Sequence, residues 1–136
     1  CGAADGLRQG AYILADVPNG KPDAILIASG SEVGLVMAAR QKLQEQNVAA
    51  RVVSMPSWEL FNAQPQSYRD QVILPSVRAR LAVEAGASQG WHRYVGDGGD
   101  VLGIDRFGAS APGDVVMREY GFTAENICKR ALALLE

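Results

Sequence analysis

AILIASGSEVGLVMAARQKLQEQ, residues 24 to 46, holds a buried strand, a glycine turn and an amphipathic helix in direct succession. Ala24-Ile25-Leu26-Ile27-Ala28 is apolar at every position instead of alternating, as a parallel strand covered on both faces requires. Ser29-Gly30-Ser31 breaks the run, and Ser29 or Ser31 is placed to cap the helix that follows. Glu32 stands where the helix macrodipole favours an anion, and Val33, Val36, Met37 and Leu43 recur at helical spacing. The stretch therefore predicts an α/β chain, with one face of this helix laid on the sheet.

Working towards the N-terminus, residues 1 to 9 read as a linker and Ala11 to Leu14 as a short strand. Asp16-Val17-Pro18-Asn19-Gly20 is a turn signal. A parallel connection needs about a dozen residues or more, so the short link to Ala24 sets the first strand antiparallel to the second.

Towards the C-terminus, Arg51 to Met55 is a third strand, stopped by Pro56. Ser57 caps a short helix through Trp58, Leu60 and Phe61, and Tyr68, Val72 and Ile73 mark another helical turn before Pro75. Leu81 to Ala85 is the fourth strand, residues 88 to 95 read as one helix, and Val101 to Phe107 as the fifth strand. Pro112 opens a helix that Gly121 closes. Thr123 caps the last helix, where Ile127, Cys128, Ala131, Leu134 and Leu135 form a stripe. The order predicts an open, mostly parallel five-stranded sheet with one antiparallel edge strand and helices on both faces.

The composition excludes several functions. Thirteen basic against fifteen acidic residues leave a net charge of -2, without the clustered positive field that nucleic acid or an anionic membrane demands. No apolar run reaches the roughly 18 residues of a membrane span, and CGAADGLRQG lacks the regions of a signal peptide. A cytoplasmic protein is the expectation. At 136 residues a single domain buries enough surface to fold without disulfides or metals. Cys1 and Cys128 predict neither a disulfide nor a metal site, and a chain opening on Cys reads as a fragment or processed product.

Open α/β sheets bind ligands at the carboxyl ends of their strands. Four segments converge there: Ser29-Gly30-Ser31-Glu32, Met55-Pro56-Ser57, Glu84-Ala85-Gly86 and Phe107-Gly108-Ala109-Ser110-Ala111-Pro112. The first and last open helices, so Ser29, Gly30, Ser31 and Ser110 form a candidate site for an anion or a regulatory ligand. Ordinary helix capping is the other account of the same residues. Neither loop carries the lysine of a P-loop or the three-glycine dinucleotide fingerprint.

Gly86-Ala87-Ser88-Gln89-Gly90 matches the nucleophile-elbow pattern literally. Ser88, however, has its sole histidine, His92, four residues on, while the hydrolase order places an acid and then a histidine on later strands. His92 reads as a packing residue, and Asp97 and Asp100 as turn formers with too few oxygens for a calcium loop. Arg78 and Arg106 either meet a substrate carboxylate or pair with surface acids.

Taken together, GSEV at 30 to 33, RVVSMPS at 51 to 57, VEAG at 83 to 86, YVG at 94 to 96, GIDRFGASAP at 103 to 112 and GFTAEN at 121 to 126 closely resemble, in order and spacing, the C-terminal domain of transketolase. The resemblance runs from about Gly10 to the end, giving a linker over 1–9 and the domain over 10–136. It implies the last of three domains in a homodimeric enzyme that transfers a two-carbon ketol unit from a ketose phosphate to an aldose phosphate. Thiamine diphosphate, its magnesium and the substrate phosphate are implied to lie on the other domains, with no catalytic residue and no cofactor on this one. Gly96-Asp97-Gly98 matches the family's metal signature only in letters. The implied role is support of the dimer and of the other domains, with the sheet edge suspected of holding a regulatory ligand. An independent ligand-binding module and a hydrolase using Ser88 are the alternatives.

Overall fold

The computed structural model describes residues 9–18, 21–29, 32–84, 90–103 and 123–135. Five strands, β1 (Tyr12–Ala15), β2 (Ala24–Ala28), β3 (Ala50–Ser54), β4 (Arg80–Glu84) and β5 (Asp100–Gly103), form one sheet in the order β1-β3-β2-β4-β5. The described helices are α1 (Val33–Glu45), α2 (Trp58–Asn62), α3 (Gln66–Val72), α4 (His92–Val95) and α5 (Ala124–Ala133).

β2 lies at the centre, parallel to β3 and to β4, with Ala24 opposite Ala50 and Ile25 opposite Arg80. All five of its residues are buried. Its alternate side chains serve two cores. Leu26 and Ala28 join Val52, Leu81, Val83 and Leu102 beneath α1 and α5, which bring Val36, Ala39, Leu43, Ile127, Cys128 and Ala131. Ile25 and Ile27 join Val53 and Ala82 on the opposite face, beneath Phe61, Val72, Trp91, Tyr94 and Val95 of the α2–α4 side. Because side chains alternate across a strand, only a run without polar positions satisfies both layers, which explains AILIA.

The antiparallel edge is present, but β1 pairs with β3, Tyr12 opposite Ser54, because β3 and β4 occupy both edges of β2. Its hold on the rest is charged as well as apolar. Arg51, 4% exposed near the start of β3, donates Nε and Nη2 to the two carboxylate oxygens of Asp16 at 2.9 and 3.1 Å. Its Nη1 donates to the carbonyls of Gln71 and Val72, tying the end of α3 to the sheet. Gly10 takes φ +84, and a Cβ there would stand 2.3 Å from the Phe61 amide nitrogen, so only glycine passes β1's entrance over α2.

Two expected elements need correction. The helix predicted over 88–95 does not include Gly90, whose φ of +93 is left-handed and whose missing side chain admits the Trp58 ring; the described helix begins at His92. In α5 the stripe ends early, with Leu135 41% exposed, because the helix stops at Ala133 and the following turn rotates it outward. Thr123 does cap α5, its hydroxyl accepting from the Asn126 amide at 3.1 Å, and Ser57 caps α2 in the same way towards Leu60. The fifth strand beyond Gly103 and the helix predicted from Pro112 lie outside the described residues.

α5 returns across about eighty residues to pack on α1. Glu125 meets Lys42 at 3.7 Å and the Gln46 amide reaches the Cys128 sulfur at 3.7 Å. Asp100 at the start of β5 binds Arg130 of α5 through Oδ2 at 2.7 Å and accepts the Val101 amide through Oδ1. Both groups therefore serve the fold.

Candidate functional site at the carboxyl edge of the sheet

β2, β3, β4 and β5 run the same way, so the segments after them share one edge. The connection leaving β2 enters α1 on one face of the sheet, and the α4 that follows β4 packs on the other. β2 and β4 are neighbours, so the chain diverges between them, the switch point at which open sheets form crevices.

An open cleft of about 350 Å³ lies at this edge. Ser29 after β2, Met55 to Glu59 after β3, Glu84 at the end of β4 and Trp91 before α4 line it. Ser29 Oγ donates to Glu84 Oε2 at 2.5 Å, closing the switch point with a charge-assisted hydrogen bond. Trp58 meets the buried Trp91 edge-on, with ring centroids 5.1 Å apart, and Tyr94 completes an aromatic layer. Phe61 belongs to that core while Leu60 of the same helix is 45% exposed, so α2 divides between packing and solvent.

Of the expected site residues, Ser29 is at the cleft, while Gly30, Ser31 and Ser110 lie outside the described residues, as do Ser88, Asp105, Arg106 and the His92 side chain. Ser29 does not cap α1. The N-cap position falls on Glu32, 3% exposed, which makes no side-chain cap bond. Glu59 and Glu84 line the cleft, and no lysine or arginine does so among the described residues. Two carboxylates and aromatic rings suit a ligand rich in hydroxyl groups, whose O–H bonds they accept and whose C–H faces they cover, better than an anion. The strand ends made Ser29, Met55, Ser57 and Glu84 legible as neighbours. The roles of Trp58, Glu59 and Trp91 depend on the α2 and α4 packing, which no spacing encodes.

Among the described residues no group of three or more His, Cys, Asp or Glu side chains comes together to hold a metal ion. No helix among the described residues is long and apolar enough to cross a membrane. Cys128 is buried and free.

Comparison with known proteins gives a consistent result. Residues 10–123 match the profile of the transketolase-like C-terminal domain. The chain is 55% identical over 133 residues to a transketolase of Geobacillus stearothermophilus and 50% identical over 133 residues to that of Bacillus subtilis, in each case covering 98% of this chain and 20% of the relative. It superposes on the structure of a transketolase from Leishmania mexicana with a TM-score of 0.87 and 40% identity, over 96% of this chain and 18% of that one. The chain thus spans about a fifth of the length of the curated relatives it matches.

Proposed function

Since the chain belongs to the transketolase family, as its C-terminal domain, we propose that it serves a thiamine diphosphate-dependent transferase that moves a two-carbon ketol unit from a ketose phosphate to an aldose phosphate. The observation that carries this reading is the match itself, which runs across nearly the whole chain yet takes up one fifth of each relative. Cofactor, magnesium and sugar phosphate are proposed to bind on the remaining four fifths. On this reading no chemical step is routed through this domain.

The role left for the domain is structural: it packs against the catalytic domains, supports the homodimer and works in the cytoplasm. At the carboxyl edge, the Ser29–Glu84 cleft serves as a site for a regulatory ligand, and Gly30, Ser31 and Ser110 belong to the same edge in sequence. The experiment is turnover by the pure 136-residue chain supplied with thiamine diphosphate, magnesium, a ketose phosphate and an aldose phosphate. No product is expected, and restored turnover is expected when the same chain stands in its full-length enzyme. Measurable transfer by the chain alone would overturn the assignment of catalysis to the other domains.

A further inference from the structure

Three arginines of this acidic chain come together beside α3 and α4. Between α3 and α4, beside the aromatic layer, lies an open cleft of about 260 Å³ lined by Asn62, Arg69, Asp70, Arg80, Arg93 and Tyr94. Three guanidinium groups meet one carboxylate there, which leaves two positive charges. Among the described residues none of the three arginines is within ion-pair distance of a carboxylate, unlike Arg51 and Arg130.

Each arginine is held in place without using up its donors. Arg80 gives Nε, Nη1 and Nη2 to the carbonyls of Val77, Tyr94 and Leu74, which fixes a half-buried charge against the sheet. Burial, then the nearby Arg78 charge, hold Arg80 below its ordinary pKa, a direction that an added anion would reverse. Arg69 gives Nε to the Gln64 carbonyl and Nη2 to Gln66 Oε1, leaving Nη1 uncommitted among the described residues. Arg93 lies over the rings of Trp58 and Tyr94, 5.8 and 6.0 Å from their centroids, so stacking orients its fork while its N–H groups stay uncommitted among the described residues. Planar forks preset in this way match the oxygens of a phosphate group.

We infer that this cleft binds a small dianionic oxyanion, a phosphate monoester, with Arg69 and Arg93 donating to its oxygens and Arg80 supplying fixed charge. A monocarboxylate would neutralise only half of the excess, and the cleft is too small for a large ligand. Asp70, whose Oδ1 already accepts from Gln66 Nε2 at 2.7 Å, sets an opposing charge that keeps the affinity modest. The inference is independent of the parent enzyme's activity.

The test titrates inorganic phosphate into the 136-residue chain at constant ionic strength, following arginine Nε–H resonances and tryptophan emission. Saturable shifts at Arg69, Arg80 and Arg93 are expected, with a change in emission from Trp58 beneath Arg93. Arg69→Ala and Arg93→Ala should each weaken binding about tenfold, Asp70→Asn should tighten it, and Ser29→Ala should leave it unchanged. Arg93→Lys, which keeps charge and fold but removes the fork, should retain part of the affinity. The inference is overturned by the absence of saturation, by an equal response to matched sodium chloride, by unaltered affinity in the arginine variants, or by a loss in Ser29→Ala that moves the anion to the sheet edge.

Discussion

Asp16→Ala removes the only carboxylate that compensates Arg51 among the described residues, and the size of the loss follows from how that pair is built. Arg51 is 4% exposed, makes two hydrogen bonds to Asp16 and two to the carbonyls of Gln71 and Val72, and so links β1, β3 and α3 through one side chain. Stranding a partner of a fully buried pair costs roughly 3–5 kcal/mol. The Asp16 side chain is 36% exposed and water can take part of its place, which lowers the expectation to about 2–3 kcal/mol. For a domain of this size that is a fall in Tm of roughly 7–10 °C. Thermal and urea unfolding of the chain, followed by circular dichroism, measure it. Combining Asp16→Ala with Arg51→Met removes the stranded charge, and the double variant should recover at least half of the loss. A single-variant loss below about 0.5 kcal/mol, or a double variant worse than either single one, would refute the reasoning. The pair also carries a pH signature. Burial raises the Asp16 pKa, but the hydrogen bonds from Arg51 and Val17 and the charges of Arg51 and Arg40 together hold it below its ordinary 3.8. A depressed carboxylate gives stability that is complete above the unfolded value and is lost as pH falls below about 3.8 towards the folded one. Asp16→Asn should flatten that part of the acid-unfolding curve.

Two further outcomes test other parts of the fold. Gly10→Ala places a methyl group against the Phe61 amide and the Ser57 carbonyl at a positive φ, and should destabilise the chain by about 2–3 kcal/mol in the same urea experiment; a neutral result would mean that the entrance of β1 is not closed over α2. The Cys128 thiol is pushed up from its ordinary pKa by burial first, eased down by Lys42 and raised again by Glu45. At pH 8 iodoacetamide should therefore modify Cys128 only in denaturant, as peptide mass spectrometry would show, and rapid labelling of the native chain would contradict a closed α1–α5 seam.

Much of the architecture was legible because it obeys short-range rules. The unbroken apolar run at 24–28 announced a strand buried on both faces, Ser57 and Thr123 announced their helices through side chains of the right kind, and the brief link after Asp16 fixed the direction of β1. Its partner was not legible, since which strand takes the open edge depends on competition between distant segments. Gly90 misled for a related reason: its neighbours favour a helix, and only contact with the Trp58 ring selects the left-handed backbone. At the carboxyl edge, Ser29 and Glu84 could be placed together from the parallel strand ends, but the bond between them follows from the adjacency of β2 and β4. The arginine cleft left no mark in the sequence because Arg69, Arg80 and Arg93 come from three separate elements, each with an ordinary local role.

The return of α5 to α1 also sets an order of assembly. Among the described residues, the face of the sheet under α2, α3 and α4 is completed by Val101 of β5 at the latest, so a growing chain holds these parts before α5 is made. The other face, with Leu26, Val52 and Leu81, keeps half of its cover only after α5 has emerged some eighty residues beyond α1, a long loop to close. During synthesis the described part of the domain therefore passes through a stage in which one side is covered and the other has α1 but still lacks α5. A chain cut before Thr123 would leave the apolar surface that Ile127, Cys128 and Ala131 cover without that partner.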